Sequence, residues 1–103
     1  MKRLLFIIIC VLSISNLSAQ KEVVYQADIK GDIDLGLAPF IKRVVHEAGM
    51  SNAKAIIFTI NTFGGRLDAA TQIKDAILNS KVKTIAFIDK RAISAGALIA
   101  LSC

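Results

Sequence analysis

The run "AKAIIFTI" constrains this chain more than any other feature: from Ala55 to Ile60 it is almost continuously apolar. A strand with one wet face alternates apolar and polar side chains. A strand covered on both faces reads as an unbroken apolar run, which is the mark of a parallel strand between two layers. Parallel neighbours cannot be joined by a tight turn, so the flanking segments must carry crossovers, usually helices. The flanks fit. "VVYQADI", Val23 to Ile29, reads as a first β-branched strand ending at Gly31. A helix then fits from about Leu37 to Ala48, with Pro39 in its first turn, Phe40, Ile41, Val44, Val45 and Ala48 on one face, and Gly49 to close it.

Beyond Asn61, where the second strand is expected to stop, Gly64 and Gly65 punctuate a turn, and Leu67, Ala70, Ile73 and Ile77 recur at helical spacing. "VKTIAFI" supplies a third strand ending at Asp89, and "KRAISAG" leads into "ALIALSC", which is too apolar all round for a surface helix. The order is βαβαβα, an α/β fold with a parallel sheet and right-handed crossovers. The last residue falls inside that apolar helix with no closing glycine and no basic last turn, so the expectation is a sheet incomplete at its C-terminus, a piece of a longer protein.

The first residues do not belong to this pattern. Lys2 and Arg3 precede an apolar run from Leu4 to Leu12 and a polar stretch ending "NLSAQ", the layout of a secretory signal peptide with Ala19 at the cleavage site. A membrane span needs ~20 apolar residues, more than this run offers. The expected division is residues 1–19 as signal peptide and 20–103 as the domain. Of 13 basic and 8 acidic side chains, removal of Lys2 and Arg3 leaves 11 against 8, dispersed and without interleaved aromatics, which argues against nucleic-acid binding. Of the two cysteines, Cys10 leaves with the signal and Cys103 is terminal, so neither a disulfide nor a metal-ligand spacing remains. No metal ion and no cofactor is expected.

In a parallel α/β sheet, ligands bind beyond the carboxyl ends of the strands. The Thr62–Gly65 loop and the loop bearing Ser94 both open at that edge. Paired glycines let backbone approach a ligand, and amides there are the donors that an acyl-transfer oxyanion requires. Ser94 in "AISAG" resembles a G-x-S-x-G elbow with Ala92 in place of the first glycine. Two readings stand: Ser94 is a nucleophile, or it is the N-cap of a helix whose hydroxyl accepts a backbone N–H. A nucleophile needs a base. His46, the one histidine, falls on the polar face of its helix; the lysines before Ser94 lie mostly on solvated faces; Lys90 and Arg91 read as a solvated loop; Asp68 and Asp75 read as surface and helix-dipole charges. No base is visible.

At these residues the chain resembles a known family. "IIFTINTFGGRLDAATQIKDAIL" followed by "VKTIAFIDKRAISAGALIAL" is similar to the N-terminal catalytic domain of NfeD-type membrane-bound serine proteases, relatives of the Clp protease proteolytic subunit with its crotonase-like fold. The likeness runs from about Val23 to Cys103. It implies a crotonase-like (Clp-protease-like) sheet, Ser94 as nucleophile of a Ser/Lys dyad whose lysine lies beyond Cys103, and oxyanion donors at Gly64, Gly65 and the N–H of Ala95. Many members carry proline where Phe63 stands, a departure that bears on loop rigidity or substrate contact. The resemblance further implies a polypeptide substrate, a stomatin-like membrane protein as partner, homo-oligomers, and a membrane-bound protein whose spans and OB-like domain come later. The 103-residue chain alone is expected to be inactive. Two other classes remain in view: a non-catalytic membrane-protein assembly module of the same fold, and a crotonase-like acyl-CoA enzyme, which the export signal disfavours because acyl-CoA is cytosolic.

Overall fold

A computed structural model describes residues 1–14 and 21–103. Ala19, the expected cleavage site, lies outside the described residues. Lys2–Ile14 forms a helix, α1, whose apolar side chains through Val11 face solvent. Among the described residues no helix is long and apolar enough to cross a membrane. From Val24 onward the elements are β1 (Val24–Ile33), α2 (Leu37–Met50), β2 (Ala55–Gly65), α3 (Leu67–Leu78), β3 (Lys83–Ala92) and α4 (Ala95–Ala100).

The strands form a parallel sheet in the order β1-β2-β3. The unbroken apolar run thus lands on the central strand, as its pattern requires. Ile56, Phe58 and Ile60 are fully buried in one core with Ile41 of α2 and Ile73 of α3. Helix α2 starts without a side-chain cap from Gly36; instead Asp34 Oδ1 accepts the amides of Gly36 and Leu37, both at 3.0 Å. An Asp two residues upstream satisfies the orphan donors as an Asx turn does. Gly49 does not close this helix. It stays helical, and Asn52 takes the left-handed position (φ 52°) while Ala53 N–H donates back to Ala48 O at 3.0 Å. That is a Schellman closure with Asn in the place usually held by Gly.

Three expected boundaries shift at the carboxyl edge. β1 runs on through Gly31 to Ile33, β2 runs through both glycines, and β3 runs through Lys90 and Arg91, so none of these residues lies in a free loop. The extension comes from pairing: Asp32 and Ile33 of β1 face Gly64 and Gly65. The pairing slips on the way. Lys30 and Asp32 face Asn61 and Gly64, while Ile60 and Thr62 face Ile88 and Ala92, so β2 takes more residues than β1, and β3 more than β2, over this stretch. Such bulges gather next to functional sites, where they re-aim side chains. Helix α3 differs in its first turn: Leu67, its first residue, is 68% exposed, and Ala69 is buried instead, with Ala70, Ile73 and Ile77. Helix α4 begins at Ala95, two residues before the apolar run, and buries Ala95, Gly96 and Ile99.

Candidate functional site

The two segments singled out in the sequence meet at the carboxyl edge. The chain leaves β3 at Ala92, and Ile93 N–H donates to Thr62 O at 3.1 Å, fixing the turn against β2. Ser94 then adopts φ 56°, ψ −120°, and Gly96 N–H closes the turn onto Ile93 O at 2.9 Å. This is a type II′ turn with serine at the position that normally calls for glycine. The hydroxyl makes no capping hydrogen bond. Ser94 is exposed, while its neighbours Ala95 and Gly96 are buried. A residue that starts a helix from a strained backbone without capping it is not explained as an N-cap; strain of this kind clusters where a side chain must be presented.

Gly64 touches this turn directly. A Cβ built on it would lie 2.9 Å from Ser94 Cβ and 3.3 Å from Ala95 N. Its φ of 115° and the lack of space both require glycine. Gly65 (φ 156°) is crowded from the other side: a Cβ there would lie 2.6 Å from Ile33 N and closer still to Ile33 O. The Arg66 amide next to it donates to Ile33 O at 2.8 Å. So the first glycine admits the Ser94 turn and the second admits β1.

Thr62, which the sequence reading passed over, ties these parts together. It is 2% exposed; its Oγ1 donates to Gly31 O and accepts the Gly64 amide at 2.9 Å. A hydroxyl two residues before a glycine turn was the available signal, since Ser and Thr side chains bond backbone groups two residues on. Next to it Phe63 is 68% exposed, and the Arg91 guanidinium stacks over its ring, 4.4 Å from the centroid. Arg91 is therefore half-buried in a cation–π contact rather than free in a solvated loop, while Lys90 is exposed.

The charged candidates lie elsewhere or are occupied. His46 lines an open groove between α2 and α3 with Lys42, Met50, Asn79 and Lys81. The far end of α2 sits at the amino edge of the sheet, where Ser51 Oγ meets the Tyr25 hydroxyl at 3.3 Å, so His46 is one edge away from Ser94. Asp75 pairs with Lys74 at 2.7 Å. Asp68 receives a two-pronged bond from Arg66, Nε to Oδ1 at 3.0 Å and Nη2 to Oδ2 at 2.8 Å. Among the described residues no hydrogen bond reaches the Ser94 hydroxyl and no cluster of metal-ligating side chains occurs.

The Arg66 pair makes a prediction of its own. The hydrogen bond from Arg66 holds the Asp68 carboxyl down to about 2, against a smaller opposing effect of desolvation. A carboxylate whose folded value lies below its unfolded value stabilises the fold above the unfolded value and loses that contribution as pH falls toward the folded one. In an NMR titration the Asp68 carboxyl should therefore have its midpoint near 2, and Arg66→Gln should return it toward the ordinary carboxylate range. A midpoint unmoved by that change would show that the fork is not what holds the proton off.

The family is decided by comparison with known proteins. Residues 23–103 match the model described as NfeD1b, N-terminal domain. The chain belongs to this family. Within it, the membrane protein NfeD1b of Bacillus subtilis (strain 168) is 40% identical over 86 residues, covering 84% of this chain and 20% of the relative. The membrane-bound protease PH1510 of Pyrococcus horikoshii is 36% identical over 104 residues, covering 98% of this chain and 24% of the relative. The chain thus spans about a fifth to a quarter of the length of these relatives. Among solved structures, the 1510-N membrane protease specific for a stomatin homolog from Pyrococcus horikoshii superposes with TM-score 0.73 at 38% identity, over 81% of this chain and 43% of that one. ClpP1 from Listeria monocytogenes superposes with TM-score 0.70 at 27% identity, over 75% of this chain and 45% of that one. The Clp-protease-like, crotonase-type sheet expected for the family is the fold found.

Proposed function

We propose that this chain is the N-terminal catalytic portion of an exported, membrane-associated serine endopeptidase in which Ser94 is the nucleophile. The observation that carries the reading is the Ser94 turn: exposed, backbone-strained, uncapped, and in contact with Gly64. Ser94 Oγ attacks the carbonyl carbon of the scissile peptide and gives its proton to a neutral lysine from beyond Cys103. The lysine then passes the proton to the departing amine, and water hydrolyses the acyl-serine by the reverse proton path. Of the expected oxyanion donors, the Gly64 amide is already bonded to Thr62 Oγ1. The Gly65 amide lies between a Gly64 amide bonded to Thr62 and an Arg66 amide bonded to Ile33 O of β1, which leaves Gly65 as the donor of the pair. Ala95 supplies the first amide of α4, which a helix leaves without an internal partner. Gly65 and Ala95 are the donors in this proposal, and Gly64 provides the close approach.

The relatives support the substrate class. One is a protease specific for a stomatin homolog, so a polypeptide of the stomatin kind is the proposed substrate, with membrane attachment and homo-oligomeric assembly supplied by the full-length protein. The experiment is covalent labelling: a fluorophosphonate probe should modify the full-length protein at Ser94, located by peptide mass mapping. A label elsewhere, or none on protein that cleaves peptides, would remove Ser94 from the mechanism. Export is read separately. Cleavage after Ala19 gives a mature N-terminus at Gln20 by N-terminal sequencing, whereas an intact Met1 in the membrane fraction would make the apolar segment an uncleaved anchor.

A further inference from the structure

We infer that Thr62 is a positioning residue for the proposed protease site: its hydroxyl and backbone hold the serine turn, the glycine pair and the end of β1 in one register. The inference rests on the serine-protease reading and deepens it. Three segments converge on this buried residue. Its Oγ1 donates to Gly31 O and accepts the Gly64 amide at 2.9 Å; Gly64 O lies a further 3.3 Å away. Its carbonyl accepts the Ile93 amide at 3.1 Å, the last backbone tie before Ser94. Its Cγ2 fills the space beside Gly96, where a Cβ would collide with it.

Chemically, Thr62 settles which amide is free. Gly64 is buried, and a buried N–H must find an acceptor. By accepting that N–H, with Gly64 O 3.3 Å away, Thr62 Oγ1 braces the peptide planes on both sides of Gly64, the second of which carries the Gly65 amide. Without the hydroxyl, the Gly64 amide and the Gly31 carbonyl both lose their partner, and the glycine pair can rotate to recover one. The oxyanion donors then drift relative to Ser94 Oγ while the substrate's side-chain contacts stay where they were. The loss therefore falls on turnover and not on binding.

The test compares Thr62→Val, which keeps the branched shape and removes the hydroxyl, with Thr62→Ser, which keeps the hydroxyl and removes Cγ2. Both are made in the full-length protein and assayed on a fluorogenic peptide well below their melting temperatures. Misplacement of a reacting group by ~1 Å costs ~10²-fold, so Thr62→Val should lose ~10- to 100-fold in kcat at near-native KM, and Thr62→Ser should recover to within a few-fold of native. Ile41→Val, a core change remote from the site, controls for destabilisation alone and should leave kcat unchanged. If Thr62→Val does not fold, Thr62→Cys, whose thiol is a far weaker partner, takes its place with the same expectation. Native kcat in the hydroxyl-free variant, or a serine variant as impaired as the valine one, would overturn the positioning role. A native protein that cleaves no peptide and takes no fluorophosphonate label would instead sink the protease reading beneath it.

Discussion

Replacing Ser94 by alanine in the full-length protein is expected to lower peptide hydrolysis by ~10⁴-fold or more, the scale seen when a nucleophile is removed and the oxyanion donors survive. Peptide affinity should persist, because Ala95 and Gly65 keep their amides. Stability should hardly change. Here the structure sharpens the comparison, since a capping serine would cost ~1 kcal/mol on removal, and Ser94 makes no such bond. Ser94→Gly separates the two further. Strain at a non-glycine residue with positive φ is worth ~1–3 kcal/mol, whereas the extra freedom of glycine in the unfolded chain costs ~0.5–1 kcal/mol. Release of strain wins, so Ser94→Gly should melt higher than the native protein and cleave nothing. Thermal melts run beside a fluorogenic-peptide assay read both outcomes. Full turnover in Ser94→Ala at undiminished purity would remove Ser94 as the nucleophile.

The second large effect belongs to Gly65. A Cβ there meets the backbone of Ile33, and backbone in a paired strand cannot swing aside as a side-chain tip can. Overpacking of this kind costs ~1–3 kcal/mol, and the backbone conformation at φ 156° adds to it. Gly65→Ala should therefore lose ~2–4 kcal/mol and separate β1 from β2 at the edge, taking the proposed oxyanion donor with it. Because the added Cβ meets β1, the loss should appear in denaturant melts as well as in turnover. Gly31→Ala is the control. Gly31 also has positive φ (75°) but nothing stands within 4 Å of its missing Cβ, so only strain is felt there. Equal melting of the two variants would show that the crowding at Ile33 relaxes freely.

The order of elements was legible because it depends on periodicity. The apolar run of β2, the β-branched run that opens β1, and the helical recurrence of Ile73 and Ile77 each mark an element that the fold contains. The nearness of Ser94 to the glycines followed from topology, since adjacent parallel strands end at one edge. What escaped depends on contacts between distant residues. Asn61 looks like a strand end until pairing of Asp32 and Ile33 with the glycines extends the strand past it. Gly49 looks like a helix stop, but Asn52 supplies the left-handed turn three residues later. Leu67 has the right spacing for a core residue, but it is the first residue of α3 and lies exposed. The positive φ of Ser94 has no sequence mark at all, because serine is not chosen for that conformation. Thr62 reads as one more polar residue near a turn, and its contacts are visible only once the end of β1, the glycine pair and the serine turn meet on it.

The uneven pairing at the carboxyl edge bears on how this chain can vary. Between Ile88 and Ala92 the third strand takes two residues more than the facing stretch of β2, from Ile60 to Thr62. Side chains alternate faces along a strand, so losing or gaining one residue there inverts the side from which the following turn is approached. Such an indel would not behave like one in a surface loop, which merely lengthens a tether. It would aim Ser94 away from Gly64 while leaving every residue of "AISAG" intact. In this protein a motif match is therefore informative only together with a preserved count from Ile88 to Ser94, and a homologue that keeps the serine but alters that count should be scored as having lost the site.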